Sequence, residues 1–295
     1  MLEELIYKHL SGRQEITDKL AQYRKTAAVF NQTAPPDVDE GWDKGQYPRV
    51  VYNLNANSDV ERKVAGTLQV DVYVQNGEGN PENFAAIIKA SLDGYFFSDE
   101  NKTYSMQWES TQYLTMANEP ITAASVLFSF LEYPSQLTGN ERDPIGIINA
   151  FTKELYPNAR VIGNDDISGA WVPSNTSPAV FWRYGERVLD EKLSRWGADF
   201  YKLTVYGHVI APGTEIMNTM ARGIIYELYC CKILQFPDRS WMRVDWDNRF
   251  RINADIRRDG QIEIKVTYCE RQSEKPAEMM NYINTSHKGA MKNGE

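Results

Sequence analysis

The sequence predicts an α+β protein of two tandem two-layer domains, each a mainly antiparallel sheet with helices packed on one face. Three observations carry this. The stretches GQYPRVVYNL at 45–54 and NTSPAVFWRY at 175–184 share one grammar, a turn and a proline before a run of β-branched and aromatic residues. The strand and helix patterns after each come in the same order, the signature of an internal duplication. The chain has 295 residues, 42% of them hydrophobic, enough for two cores at roughly 100 to 200 residues per domain.

The first element is MLEELIYKHL, where Leu2, Leu5, Ile6 and Leu10 recur at helical spacing. Acidic residues stand where a secretory leader would be basic, so an amphipathic helix is expected. A second, polar helix is expected over 14–23. The strand RVVYNL opens after Pro48, a polar segment spans 55–66, and TLQVDVYV forms the next strand. Pro81 then starts a helix in PENFAAIIKASLDGYFF. Two strands follow, in YSMQWES and ASVLFSFLEY.

The second half repeats this order. Ile145, Ile148, Phe151 and Leu155 mark a helix, AVFWRY follows Pro178, and a polar segment spans 185–199 before FYKLTVYG. The next helix is TEIMNTMARGIIYELYC, with Thr214 as its expected cap. WMRVDWDN and QIEIKVTYCE complete the unit, with a hairpin turn expected at Asp259-Gly260. In the last strand Ile262, Ile264 and Val266 alternate with Glu263, Lys265 and Thr267, so one sheet face is apolar and the other wet. Pro48 and Pro178, Tyr73 and Tyr206, and Trp108 and Trp246 are expected at matching places. The domains are therefore 1–134 and 144–272, with a turn-rich linker at 135–143 and a tail at 273–295 that lacks an aliphatic pattern.

No catalytic constellation is legible, and an enzyme is not expected. His9, His208 and His287 lie far apart, without metal or nucleophile spacing. Cys230, Cys231 and Cys269 form no disulfide framework, which fits a reducing compartment, and buried thiols are the expected outcome. The carboxylates at 37–40 and at Asp165-Asp166 read as solvated loops rather than a cation site. The glycines of NGEGN lack the spacing and lysine of a phosphate loop. No cofactor and no metal is expected. No apolar run approaches the roughly 20 residues of a membrane span. The net charge of −8 disfavours a phosphate-gripping surface, which needs clustered Lys and Arg. What remains is a protein that binds other proteins.

The string VFNQTAPPDVDEGWDKGQYPRVVYNL, with GTLQVDVYVQ and IIKASLDGYF after it, resembles the bacteriophage tail terminator family, also called tail completion or tail-to-head joining proteins. The matching positions are Phe30, Gln32, Ala34, Pro35, Tyr47, Pro48, Val50, Val51, Gln69, Val70, Asp71, Val72 and Tyr73, within the first 100 residues or so. The second half has Ser177, Leu203 and Thr204 in place of Tyr47, Val70 and Asp71, and would be a diverged copy. The resemblance implies a structural virion protein that caps the tail tube and joins it to the neck and head as a hexameric ring. Implied partners are the tail tube protein, a neck or head-completion protein and, as a further candidate, the sheath, with assembly in the host cytoplasm and DNA passing without specific binding. Another neck or tail component, a head-closure or sheath-attachment protein, is the alternative, and behind it an α+β enzyme whose site residues meet only in space. The double-length chain would supply the ring as six copies or as three, and the diverged second half favours six.

For the interfaces, exposed tryptophan and long polar segments are the natural candidates. Trp42 and Trp196 are the expected anchors, with Arg62 and Lys63 in one segment and Arg187 and Arg195 in the other.

Overall fold

The computed structural model describes residues 2–57, 65–99, 102–117, 119–137, 142–194 and 198–271. The first domain runs α1 (Leu2–Ser11), α2 (Gln14–Thr17), β1 (Gln22–Tyr23), β2 (Thr26–Ala27), β3 (Val29–Asn31), β4 (Arg49–Ala56), β5 (Gly66–Gln75), α3 (Pro81–Leu92), β6 (Phe96–Ser98), β7 (Lys102–Thr115) and β8 (Ile121–Pro134). The second runs α4 (Pro144–Leu155), β9 (Arg160–Val161), β10 (Gly169–Trp171), β11 (Ala179–Leu189), β12 (Ala198–Ile210), α5 (Thr214–Cys231), β13 (Ile233–Gln235), β14 (Trp241–Val244), β15 (Arg249–Phe250) and β16 (Ile262–Arg271). The protein is α+β, with two tandem domains that each pack helices against an antiparallel-rich sheet.

The two sheets share one topology. The first is ordered β6-β7-β8-β5-β4-β3 and the second β13-β14-β16-β12-β11-β9. In both, the last pair is parallel and the rest are antiparallel. The correspondence can be read residue by residue from a row of valines. Val50 pairs with Val29 on one side and Val72 on the other, and Val180 pairs with Val161 and Val209 in the same way. All six are buried. Pro48 and Pro178 precede these rows by two residues and are equivalent.

Tyr73 and Tyr206 are not equivalent. Tyr73 pairs with Arg49, directly after the proline, whereas Tyr206 pairs with Arg183, five residues after it. Ile210 holds the place of Tyr73. Both tyrosines face away from the helices, where packing constrains the register weakly, so a shared aromatic is a poor guide there.

Each core lies between the sheet and two helices. In the first, Ile6 and Leu10 of α1 and Ile88 and Leu92 of α3 meet Leu68, Val70 and Val72 of β5. In the second, Ile148 of α4 and Ile224 and Leu228 of α5 meet Val205 of β12 and Ile264 and Val266 of β16. The alternation predicted for 262–267 is present over 262–266, but Thr267, expected on the wet face, is buried with its hydroxyl donating to Asp245. The helix starts follow their local chemistry. Asn80 caps α3 through the Glu82 N–H at 2.8 Å, Asp143 caps α4 through that of Gly146 at 3.0 Å, and each is followed by proline.

Several sequence expectations need correction. The helix expected over 14–23 stops at Thr17, and Gln22–Tyr23 turns back as a strand on Thr26–Ala27. Gly213, not Thr214, is the cap of α5. Asp259-Gly260 does not close a tight hairpin: both N–H groups donate to Asp255 O, in the 251–261 connection between β15 and β16. Trp246 lies in a loop, whereas Trp108 is in β7. The polar segment at 185–199 is strand at both ends, since β11 reaches Leu189 and β12 starts at Ala198. The tail at 273–295 lies outside the described residues.

Candidate protein interface

The chemistry-bearing groups are held by their own fold. His9 Nε2 lies 2.7 Å from Ser91 O, with Tyr95 and Phe97 around the ring, and burial lowers its pKa. His208 is buried, with Nδ1 2.8 Å from Ile256 O, and Arg183 Nε donates to its Nε2 at 3.3 Å. His287 lies outside the described residues. Asp165 pairs with Lys153 at 2.7 Å and accepts the Val161 N–H at 3.0 Å, which closes its loop. Among the described residues no group of three His, Cys, Asp or Glu could hold a metal ion. Cys230 and Cys231 are exposed on α5 rather than buried, and Cys269 is half-buried. They sit at the end of a helix whose apolar stripe is carried by Ile224 and Leu228.

Of the expected interface residues, the structure places two. Arg62, Lys63, Arg195 and Trp196 lie outside the described residues. Trp42 packs edge-on to Tyr23 and Phe30, with ring centroids 5.1 and 5.7 Å apart, and its indole N–H donates to Pro36 O at 3.0 Å. Arg49 lies 5.9 Å from its ring, 4.5 Å from that of Tyr47, and pairs with Asp37 at 2.5 Å. Trp42 therefore pins the 32–48 connection to its own domain. Arg187 is on a strand rather than in a loop. Its guanidinium lies 3.7 Å from the Tyr201 ring and 2.6 Å from Glu270 Oε2.

The interface that the structure does display is between the two domains. β10 leaves the second domain and adds antiparallel to β6, the edge of the first sheet, with Trp171 opposite Phe96 and Gly169 opposite Ser98. The two aromatic rings stack, and the Trp171 N–H donates to Ser98 Oγ. Tyr133 meets Phe181 edge-on at 5.1 Å, and its hydroxyl donates to Arg257 O at 3.2 Å. Arg257 Nη1 in turn donates to Met106 O at 3.2 Å. Phe96, Tyr133, Trp171, Phe181 and Ile210 form a third apolar cluster. Backbone pairing at a sheet edge with side chains seated beside it is how an extended segment docks on another protein.

Two exposed features were not legible in the sequence. The β7–β8 ribbon extends past the end of β6, and Tyr113 and Leu114 near its tip are each 54% exposed. On the other domain Ile233 is 56% and Trp241 45% exposed at the β13 edge. Short apolar stretches look alike in sequence whether or not a neighbour covers them.

No family model matches the chain, and no curated protein does. Among solved structures, one chain aligns over 44% of this protein and 92% of its own length, at 13% identity and a TM-score of 0.29. That likeness is too slight to bear on fold or function.

Proposed function

We propose that the protein is a structural virion component that caps a bacteriophage tail tube and joins it to the neck and head as a ring. The observation that supports this best is the seating of β10 on the β6 edge. It is a head-to-tail contact between two copies of one fold, made of unlike surfaces, and such contacts close into rings when the rotation allows. The resemblance carried by Phe30, Gln32, Tyr47, Pro48 and the β5 pattern Gln69 to Tyr73 supplies the tail terminator assignment. The outer face of the second sheet is consistent with DNA passing unbound, because Lys265 and Arg249 are paired with Asp247 and Arg243 with Asp245.

Cryo-microscopy of phage tails from cells that make a tagged chain tests this reading. Density for the chain at the head-proximal end of the tube is expected. Density elsewhere in the neck would favour another connector role, and absence from the virion would sink the proposal.

A further inference from the structure

We propose that the contact joining the two domains recurs between chains, with the 32–48 segment of one copy seated on the β13 edge of the next. This deepens the proposed function, and rests on it only for the number of copies.

The paired ladders give the equivalences. Carried outward from the valine rows, they put Ile233 where the first domain has Phe96, Trp241 where it has Thr103, and Arg243 where it has Ser105. The first-domain residues are buried, at 0%, 5% and 1% exposure, because β10 and its neighbours cover them. Among the described residues no strand pairs with the outer side of β13. The second domain thus presents the same edge, uncovered and carrying a large aliphatic and an indole. Phe200 extends the patch, with its ring centroid 6.3 Å from that of Trp241.

The matching donor is in the first domain. β10 lies in the connection between β9 and β11, and the equivalent connection between β3 and β4 is 32–48. In it Val38 is 92% exposed, at a turn that Arg49 holds through the neighbouring Asp37. The surface beside it also corresponds: Phe30 holds the place of Ile162, Val51 of Phe181 and Tyr73 of Ile210. Asp71 holds the place of His208, whose ring lies 6.3 Å from Tyr133, and Tyr133 lies beside Ser105. In the contact between chains Asp71 would therefore approach Arg243, whose guanidinium also pairs with Asp245. One chain carries a donor at one end and an acceptor at the other, so each copy bridges two neighbours. On the tail reading, three chains supply the six units of the ring.

The test is sedimentation velocity of the full chain over a range of concentrations, with Val38→Arg in the donor and Ile233→Arg or Trp241→Arg in the acceptor. These side chains are exposed, and unchanged melting temperatures will show that the variants fold. The wild-type chain is expected to reach three times the monomer mass. Each variant should associate at least tenfold more weakly, and an equal mixture of V38R and I233R should stop at a dimer, because only one good donor and one good acceptor remain. A wild-type chain that stays monomeric, or an oligomer that tolerates every variant, overturns the inference. If removal of residues 272–295 alone produces association at the β13 edge, that tail and not a second copy occupies it in the intact chain, which also overturns it. A trimer absent from virions would fail the tail assignment and leave the contact standing, whereas six copies at the tube end with I233R harmless would do the reverse.

Discussion

The Trp171 ring stacks on that of Phe96, with centroids 4.7 Å apart and planes 28° from parallel, and its indole N–H donates to Ser98 Oγ at 2.9 Å. One side chain from the second domain thus satisfies three needs at the edge of the first. It covers an aromatic, pairs a buried hydroxyl that also bonds Thr103 Oγ1 at 2.9 Å, and fixes β10 in register. The strand has only three residues, and without this partner its backbone pairing would not hold it.

Trp171→Ala is therefore expected to loosen the domains from one another. Truncation of a buried tryptophan costs about 3–5 kcal/mol, and here the loss falls on the interface rather than on either core. Denaturant unfolding should change from one transition to two. Trp171→Phe keeps the stack and loses the hydrogen bond, at a cost of about 1 kcal/mol, and should leave a single transition. Equal, large losses for both variants would mean that the hydrogen bond, not the ring, joins the domains.

Gly207 lies in β12 opposite Trp182, whose ring covers the place a Cβ would occupy. Trp182 is itself held, since its N–H donates to Thr152 Oγ1 at 3.0 Å. Gly207→Ala should destabilise by about 1–3 kcal/mol through overpacking, read as a lower urea midpoint. Gly45, with open space around it, is the control, and its alanine variant should stay within about 0.5 kcal/mol of wild type.

How much of this was legible in the sequence depended on how local the cause was. The helix starts at Pro81 and Pro144, the alternation of 262–266 and the equivalence of Pro48 with Pro178 come from neighbours in the chain. β3 and β9 escape because two or three residues carry no period, and β10 because it is a strand only through Phe96 to Ser98, some 70 residues away. Trp42 looked like an anchor for a partner since its neighbours are polar. Its actual partners, Tyr23, Phe30 and Arg49, converge only through the β1–β2 turn and the parallel β3–β4 pair. The open β13 edge gave no signal, because Ile233 and Leu234 read alike and only Leu234 is buried.

Asp238 predicts one acid-sensitive contact. The Ser240 hydroxyl at 2.5 Å, Arg142 at 2.7 Å and the Ser240 N–H at 2.9 Å hold its carboxyl down at about 2. A depressed carboxylate contributes stability that is present above its unfolded value of about 3.9, and that is lost as pH falls toward 2. Arg142 also donates to Cys269 O at 2.8 Å, so this pair ties the start of the second domain to its last strand. The wild-type chain should lose stability between about pH 4 and pH 2, and Asp238→Asn should flatten that part of the curve. Identical curves for the two proteins would show that the pair contributes nothing.

The β7–β8 ribbon bears on how a ring would meet the tube. Met116 N–H donates to Ile121 O at 3.0 Å, so the strand alternation turns the backbone groups of residues 112 and 114 inward and those of 111, 113 and 115 toward the open edge. β6 pairs with β7 only as far as Ser105, which leaves this edge without a strand among the described residues. Tyr113 and Leu114 stand on opposite faces of it, both exposed. An unguarded edge of this kind invites strand pairing by another chain. If the proposed tail role holds and the ribbon tip meets the tube, Leu114→Asp or Tyr113→Asp should abolish incorporation into tails while the melting temperature and the mass in solution stay those of wild type. Complementation of a phage that lacks the wild-type gene gives the readout. Normal tail yield from both variants would remove the ribbon from the tube contact, and a fall in melting temperature would assign Tyr113 and Leu114 to folding instead.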